Sequence, residues 1–149
     1  MKVITKNRRA YFDYDIESTL QAGIVLDGHE VKSIRANHAS LKGSFATIKD
    51  GEAWVHNVHI NPYEFSAKAR SADYSPTRPR KLLITKRELN AIVEAKKAGR
   101  TLVPLALLAG RFIKIELGVA KGKKKFDKRQ AIKNRDESRA IAKAAKNPQ

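Results

Sequence analysis

The chain has 149 residues, a formal net charge of +16 and no cysteine. Its length suits one domain with a real core, and the lack of thiols excludes disulfides, thiolate catalysis and cysteine-ligated zinc while fitting a reducing cytosol. A pI of about 10.3 points to a polyanionic partner, and no apolar run approaches the length of a transmembrane helix.

Residues 1–10, ending in "KNRRA", read as a flexible basic arm with no continuous apolar stretch of the secretory kind. The alternation from Tyr11 to Ile16 and the run Gly23-Ile24-Val25-Leu26 predict one long bent strand, or two, stopped at Asp27-Gly28. In "HEVKSIRAN", Val31 and Ile34 share a face as in a short helix, and Glu30 lies in the first turn, where the helix dipole favours a carboxylate. Phe45, Thr47 and Lys49 then alternate with Ala46 and Ile48. Asp50-Gly51 is a strong hairpin turn, and a second strand carries Trp54, His56, Val58 and Ile60. Residues 61–80, with Pro62, Pro76 and Pro79, read as a long loop. Thr85 and Glu88 form a capping box ahead of the stripe Leu89, Ile92 and Val93, with Lys96 and Lys97 in the last turn and Gly99 at the stop. "TLVPLALL" and "RFIKIELGVA" read as a strand pair joined at Ala109-Gly110.

Five or six strands, with one short and one longer helix that do not alternate with them, argue for a mainly β, α+β body. A small, partly open OB-like barrel with flanking helices suits this element count, though periodicity alone fits another small α+β barrel equally, and its domain is expected to span residues 1–118. Residues 119–149 are expected to form a basic C-terminal tail, with 11 Lys or Arg against 3 Asp or Glu. Val119, Phe126, Ile132 and Ile141 are its only large apolar residues. They cannot offset the roughly 1–2 kcal/mol per residue that ordering a backbone costs. The tail is therefore expected to be disordered when free. Its wealth of Ala, Lys, Arg and Gln predicts a helix once a polyanion neutralises it.

Few constellations suggest catalysis. His56 and His59 are three apart, which on one strand sends them to opposite faces, so no metal site is expected. Asp13, Asp15 and Glu17 could chelate magnesium but read better as a solvated edge. "GKKKFDKR" lacks phosphate-loop spacing, and no nucleophile elbow or dinucleotide fingerprint is present. The expectation is a binding protein with no enzymatic activity and no cofactor. Phe126 inside a basic run has no core to join and could stack on an exposed base while its neighbours neutralise phosphates.

Four stretches in order, "AGIVLDGHEVKSIRAN", "DGEAWVHNVHINPY", "RPRKLLITKREL" and "VAKGKKKFDKRQAIKNRD", resemble the SmpB (small protein B) family. The similarity runs from Asn7 to about Arg139. It implies an OB-like barrel that binds the tRNA-like domain of transfer-messenger RNA (SsrA RNA). It also implies delivery of that RNA to stalled ribosomes with the elongation factor Tu complex, in the cytoplasm and without a membrane. The tail would occupy the empty mRNA channel near the small-subunit decoding centre. The resemblance assigns RNA contact to Asn7 and Arg8, to Glu30, Lys32 and Arg35, and to Arg80 and Lys81. It further assigns Lys121, Gly122, Lys123 and Lys124 to a basic hinge, and Asp127, Lys128 and Arg129 to productive accommodation. Phe126 stands where the family often has Tyr or His, keeping the ring and losing the hydrogen bond; His29 stands where a small hydroxyl residue is common. The alternative reading is a structural ribosomal protein with a basic extension.

Overall fold

The structure, a computed structural model, describes residues 1–62 and 74–122. In chain order the elements are β1 (Lys2–Lys6), α1 (Arg8–Asp13), β2 (Tyr14–Ile24), α2 (Gly28–Arg35), β3 (Ala39–Ser40), β4 (Phe45–Lys49), β5 (Glu52–His56) and β6 (His59–Ile60). They continue with β7 (Arg80–Leu83), α3 (Lys86–Lys97), β8 (Thr101–Ala109) and β9 (Ile113–Gly122). Seven strands join in the order β1-β8-β9-β2-β7-β5-β4, every neighbour antiparallel, and β3 and β6 form a separate short ladder.

The class is α+β as expected, and the sheet is not a closed barrel. Its outer strands β1 and β4 share no ladder, and β4 instead packs across β8. The main core lies inside this curled sheet, with Ile34 of α2 and Ile92 of α3 packed among Val55, Leu82, Leu107, Ile115 and Leu117. Ala10 of α1 covers a smaller cluster with Val103, Leu105 and Ala120 on another face of β8 and β9. Layers on both sides explain why β8 is buried from Leu102 to Leu108 and reads as an unbroken apolar run.

The β4–β5 hairpin forms as its alternation predicts, with Asp50 and Gly51 at φ 53° and 75°. Two successive positive φ values match the twist of the flanking strands. In α3, the Thr85 hydroxyl accepts from the Glu88 amide at 3.1 Å while Glu88 accepts from the Thr85 amide at 3.1 Å. This is the capping box that the sequence predicts.

Several expectations need correction. Residues 1–10 are not a loose arm: Lys2–Lys6 ladder onto β8 and Arg8 opens α1. The alternation from Tyr11 to Ile16 spans a helix end and a strand start, because the Asn7 side chain accepts from the Ala10 amide and turns the chain into α1. Residues 80–83, beginning at the last position of the expected loop, form β7 between β2 and β5. The expected boundary at Gly118 cuts a strand, since β9 runs to Gly122 with Val119 opposite Ser18 and Ala120 opposite Ile16. Among the described residues, no helix is long and apolar enough to cross a membrane.

Candidate nucleic-acid interface

Helix α2 begins after Asp27, whose amide donates to Glu30 Oε1 at 2.9 Å. Tyr74, Arg78 and Arg80 arrive beneath this turn from the segment leading into β7. Arg80 donates from Nε at 2.9 Å and Nη2 at 2.6 Å to Glu30 Oε2, and the Tyr74 hydroxyl donates to the same oxygen at 3.2 Å. Arg78 donates to Glu30 Oε1. The other Arg80 donors find the carbonyls of Val58 at 2.7 Å, Arg78 at 3.1 Å and Pro76 at 3.1 Å. Both Glu30 and Arg80 have 0% exposure, and their hydrogen-bonding groups are matched almost in full.

Burial is the strongest single influence on the Glu30 carboxyl and pushes it up. Hydrogen bonds from Arg78, the Asp27 amide and Arg80, with the Arg80 charge, together outweigh it and hold the group below its ordinary value. The Tyr74 hydroxyl is raised by burial first and then by the Glu30 charge. His29 packs its ring edge-on against Tyr74, with centroids 4.8 Å apart, on the same turn.

This geometry corrects two expected RNA contacts. Glu30 and Arg80 are closed to solvent and bonded to each other, so they present no open surface to RNA and scaffold α2 against β7. Asn7 is a third correction. It is buried, caps α1, donates its side-chain amide to the Pro104 carbonyl at 2.9 Å and its backbone amide to Leu105 at 2.7 Å. Pro104 sits inside a central strand at a register irregularity, the place where a missing amide is tolerated.

The remaining expected residues among those described reach the surface. Lys32 and Arg35 lie three apart on the exposed face of α2. Arg35 Nη2 donates to the carbonyls of Gly110 at 2.9 Å and Arg111 at 3.2 Å, tying the helix to the β8–β9 turn. That turn carries Arg111 over the Phe112 ring at 5.7 Å, and Phe112 is 66% exposed. Arg8 is exposed and lines a groove of about 280 Å³ with Lys6, Arg9, Ser40 and Lys42. Arg9 there pairs with Asp13 at 3.0 Å and lies 4.9 Å over the Phe12 ring. Lys81 projects from β7 and pairs with Glu52 at 3.1 Å. Lys121 and Gly122 are exposed at the end of β9. Lys123, Lys124, Phe126, Asp127, Lys128 and Arg129 lie outside the described residues. Of the two leucines after Lys81, Leu82 is in the core while Leu83 is 56% exposed.

Arg8 and Arg35 lie in two separate patches, and Lys81 and Lys121 belong to neither. Lys2 pairs with Ala109 and Lys6 with Ala106, so the Arg8 groove and the Arg35–Phe112 corner lie toward opposite ends of β1. A five-residue strand separates its ends by ~14 Å. Lys6, Arg9, Lys42, Arg111 and Phe112 were missed in the sequence because only folding brings 6–9 beside 40–42, or 35 beside 110–112. Along the acidic edge that the sequence reads as solvated, Asp13 pairs with Arg9 at 3.0 Å and Glu17 with Arg100 at 2.9 Å.

The family model described as SmpB protein matches residues 4–147. An SsrA-binding protein of Geobacillus kaustophilus is 49% identical over 145 residues, covering 96% of this chain and 92% of that protein. One from a Synechococcus species is 52% identical over 150 residues, covering 98% and 95%. Among solved structures, a chain described as "tmRNA-SmpB: a journey to the center of the bacterial ribosome" superposes with a TM-score of 0.64 at 41% identity, covering 85% of this chain and 92% of that one. With a family match over nearly all its length and relatives at about half identity, this chain belongs to the SmpB family.

Proposed function

We propose that this chain binds the tRNA-like domain of transfer-messenger RNA and brings it to stalled ribosomes, as a binding protein rather than a catalyst. The observation that carries this reading is the match to SsrA-binding proteins along almost the whole chain. The chemistry of the body agrees with it. The buried pair Glu30–Arg80 fixes α2 in place, so that Lys32 and Arg35 are held at fixed positions on one face. Folded RNA is read mainly through its backbone and 2′-hydroxyls, and cations on a rigid frame suit that task.

Arg8, Lys32, Arg35, Lys81, Lys121 and Gly122 are the proposed RNA-facing residues of the body. Lys123, Lys124, Phe126, Asp127, Lys128 and Arg129 belong to a proposed tail that enters the vacant mRNA channel and becomes helical as ribosomal RNA neutralises it. Cooperation with the elongation factor Tu complex, and a cytoplasmic site of action, complete the proposal. Recovery of the full chain from cells, followed by sequencing of the bound RNA, tests it. Transfer-messenger RNA should be enriched and the protein substoichiometric to ribosomes. Stoichiometric association with every ribosome, without that RNA, would assign the chain to the structural ribosomal proteins instead.

A further inference from the structure

The outer face of the β4–β5 hairpin carries a set of rings that the proposed RNA contacts do not use. Phe45 and His56 are cross-strand partners whose rings stack with centroids 4.8 Å apart at 11°. The next row on the same face pairs Thr47 with Trp54, and Trp54 with Lys81 on β7. Thr47 Oγ1 and His56 Nε2 share a hydrogen bond of 2.8 Å. Thr47, Trp54, His56 and Pro79 border a groove of about 450 Å³, and Phe45, stacked on His56, is still 47% exposed. The opposite face of the same strands buries Ala46, Ala53, Val55 and Leu82, so the rings are not needed to fill the core.

Lys49 and Lys81 are balanced here by Asp50 and Glu52, with Lys81 bonded to Glu52 at 3.1 Å. A locally neutral floor of rings is poorly suited to hold phosphates alone. It suits the uncharged, flat face of a base, with a hydroxyl and an imidazole close by to meet the base edge. We infer that the Phe45–His56–Trp54 face is a stacking platform for an unpaired nucleobase of the RNA partner, separate from the two cationic patches. The inference rests on the proposed RNA-binding function and adds to it a second kind of contact, one that separates single-stranded from paired RNA.

Trp54 is the only tryptophan in the chain, so its emission reports on this face alone. The full chain is titrated with an RNA hairpin bearing an unpaired loop, and with a fully paired duplex of matched length. Filter binding follows total affinity in parallel. The loop RNA should quench Trp54 and the duplex should not. Phe45→Ala and Phe45→Leu should each weaken loop binding by about 5- to 150-fold, with duplex affinity unchanged and Phe45→Tyr retaining loop affinity. The leucine variant keeps an apolar side chain, so equal unfolding midpoints in urea would separate lost stacking from lost fold. Unquenched Trp54 and unchanged loop affinity, in a chain that still binds RNA on the filter, would overturn the platform alone. Equal quenching by duplex would also overturn it. Emission that changes with protein concentration and not with RNA would assign the face to a second copy of the chain. Failure to bind any RNA would overturn the proposed function itself.

Discussion

Arg80 donates twice to one carboxylate oxygen of Glu30, fifty residues earlier in the chain, and both side chains are closed to solvent. The pair joins the first turn of α2 to the start of β7. A buried pair of this kind need not add net stability over an apolar replacement, yet breaking it leaves an uncompensated charge. Glu30→Ala should therefore cost about 3–5 kcal/mol, and Arg80→Met a comparable amount. Urea unfolding checks this, and the double variant should cost much less than the two single costs summed. Additive costs would mean that the residues act separately.

Stability should also follow the Glu30 proton. The fold holds this carboxyl below its ordinary value, so the unfolded chain takes up a proton at a pH where the native chain still resists. The contribution is whole above the ordinary carboxylate value and falls as pH drops beneath it. It is lost once the pH has passed through the depressed folded value. Urea midpoints measured from neutral to acid pH should fall more steeply in the native chain than in Glu30→Gln. Identical slopes would show that the network contributes no linkage.

The elements that could be read without a structure are those whose signals are local. The β4–β5 hairpin combines period-two alternation with Asp50-Gly51, and α3 has its cap, stripe and stop within fifteen residues. β1 and α1 could not be read so, because the cations Lys2, Lys6, Arg8 and Arg9 make the segment read as a solvated arm, and its anchor is a bond from Asn7 to Pro104, 97 positions away. The same limit explains Arg80. An arginine beside Lys81 reads as a surface cation until Glu30 is known to lie beneath it. Closure of the sheet was equally out of reach, since it depends on whether β1 meets β4 and not on any property of either strand.

The Arg8 groove should act through phosphates. Replacing Lys6, Arg8 and Lys42 with alanine should make the dependence of log affinity on log salt shallower by about 1 for each phosphate contact removed. Affinity should fall to a similar degree for every RNA tested. The unfolding midpoint should hold, since none of the three side chains belongs to either core cluster. An unchanged salt slope would remove the groove from the interface.

Truncation should separate body from tail, provided that the cut spares β9. A chain ending at Gly122 keeps Val119 and Ala120 in their ladders with β2 and β8. It should unfold at the same urea concentration as the full chain and bind transfer-messenger RNA with similar affinity, while peptide tagging on stalled ribosomes is lost. A chain ending at Gly118 should be destabilised, because it loses Ala120 from under α1. Full tagging by the chain ending at Gly122 would contradict the role given to the tail.

The most direct measurement is a filter-binding competition at fixed salt, with the full chain offered the tRNA-like domain of transfer-messenger RNA against an excess of bulk transfer RNA. A rigid body that reads RNA shape should retain the tRNA-like domain at competitor concentrations that displace non-specific binding. Equal displacement of both RNAs would contradict it, leaving only a basic protein with general affinity for polyanions.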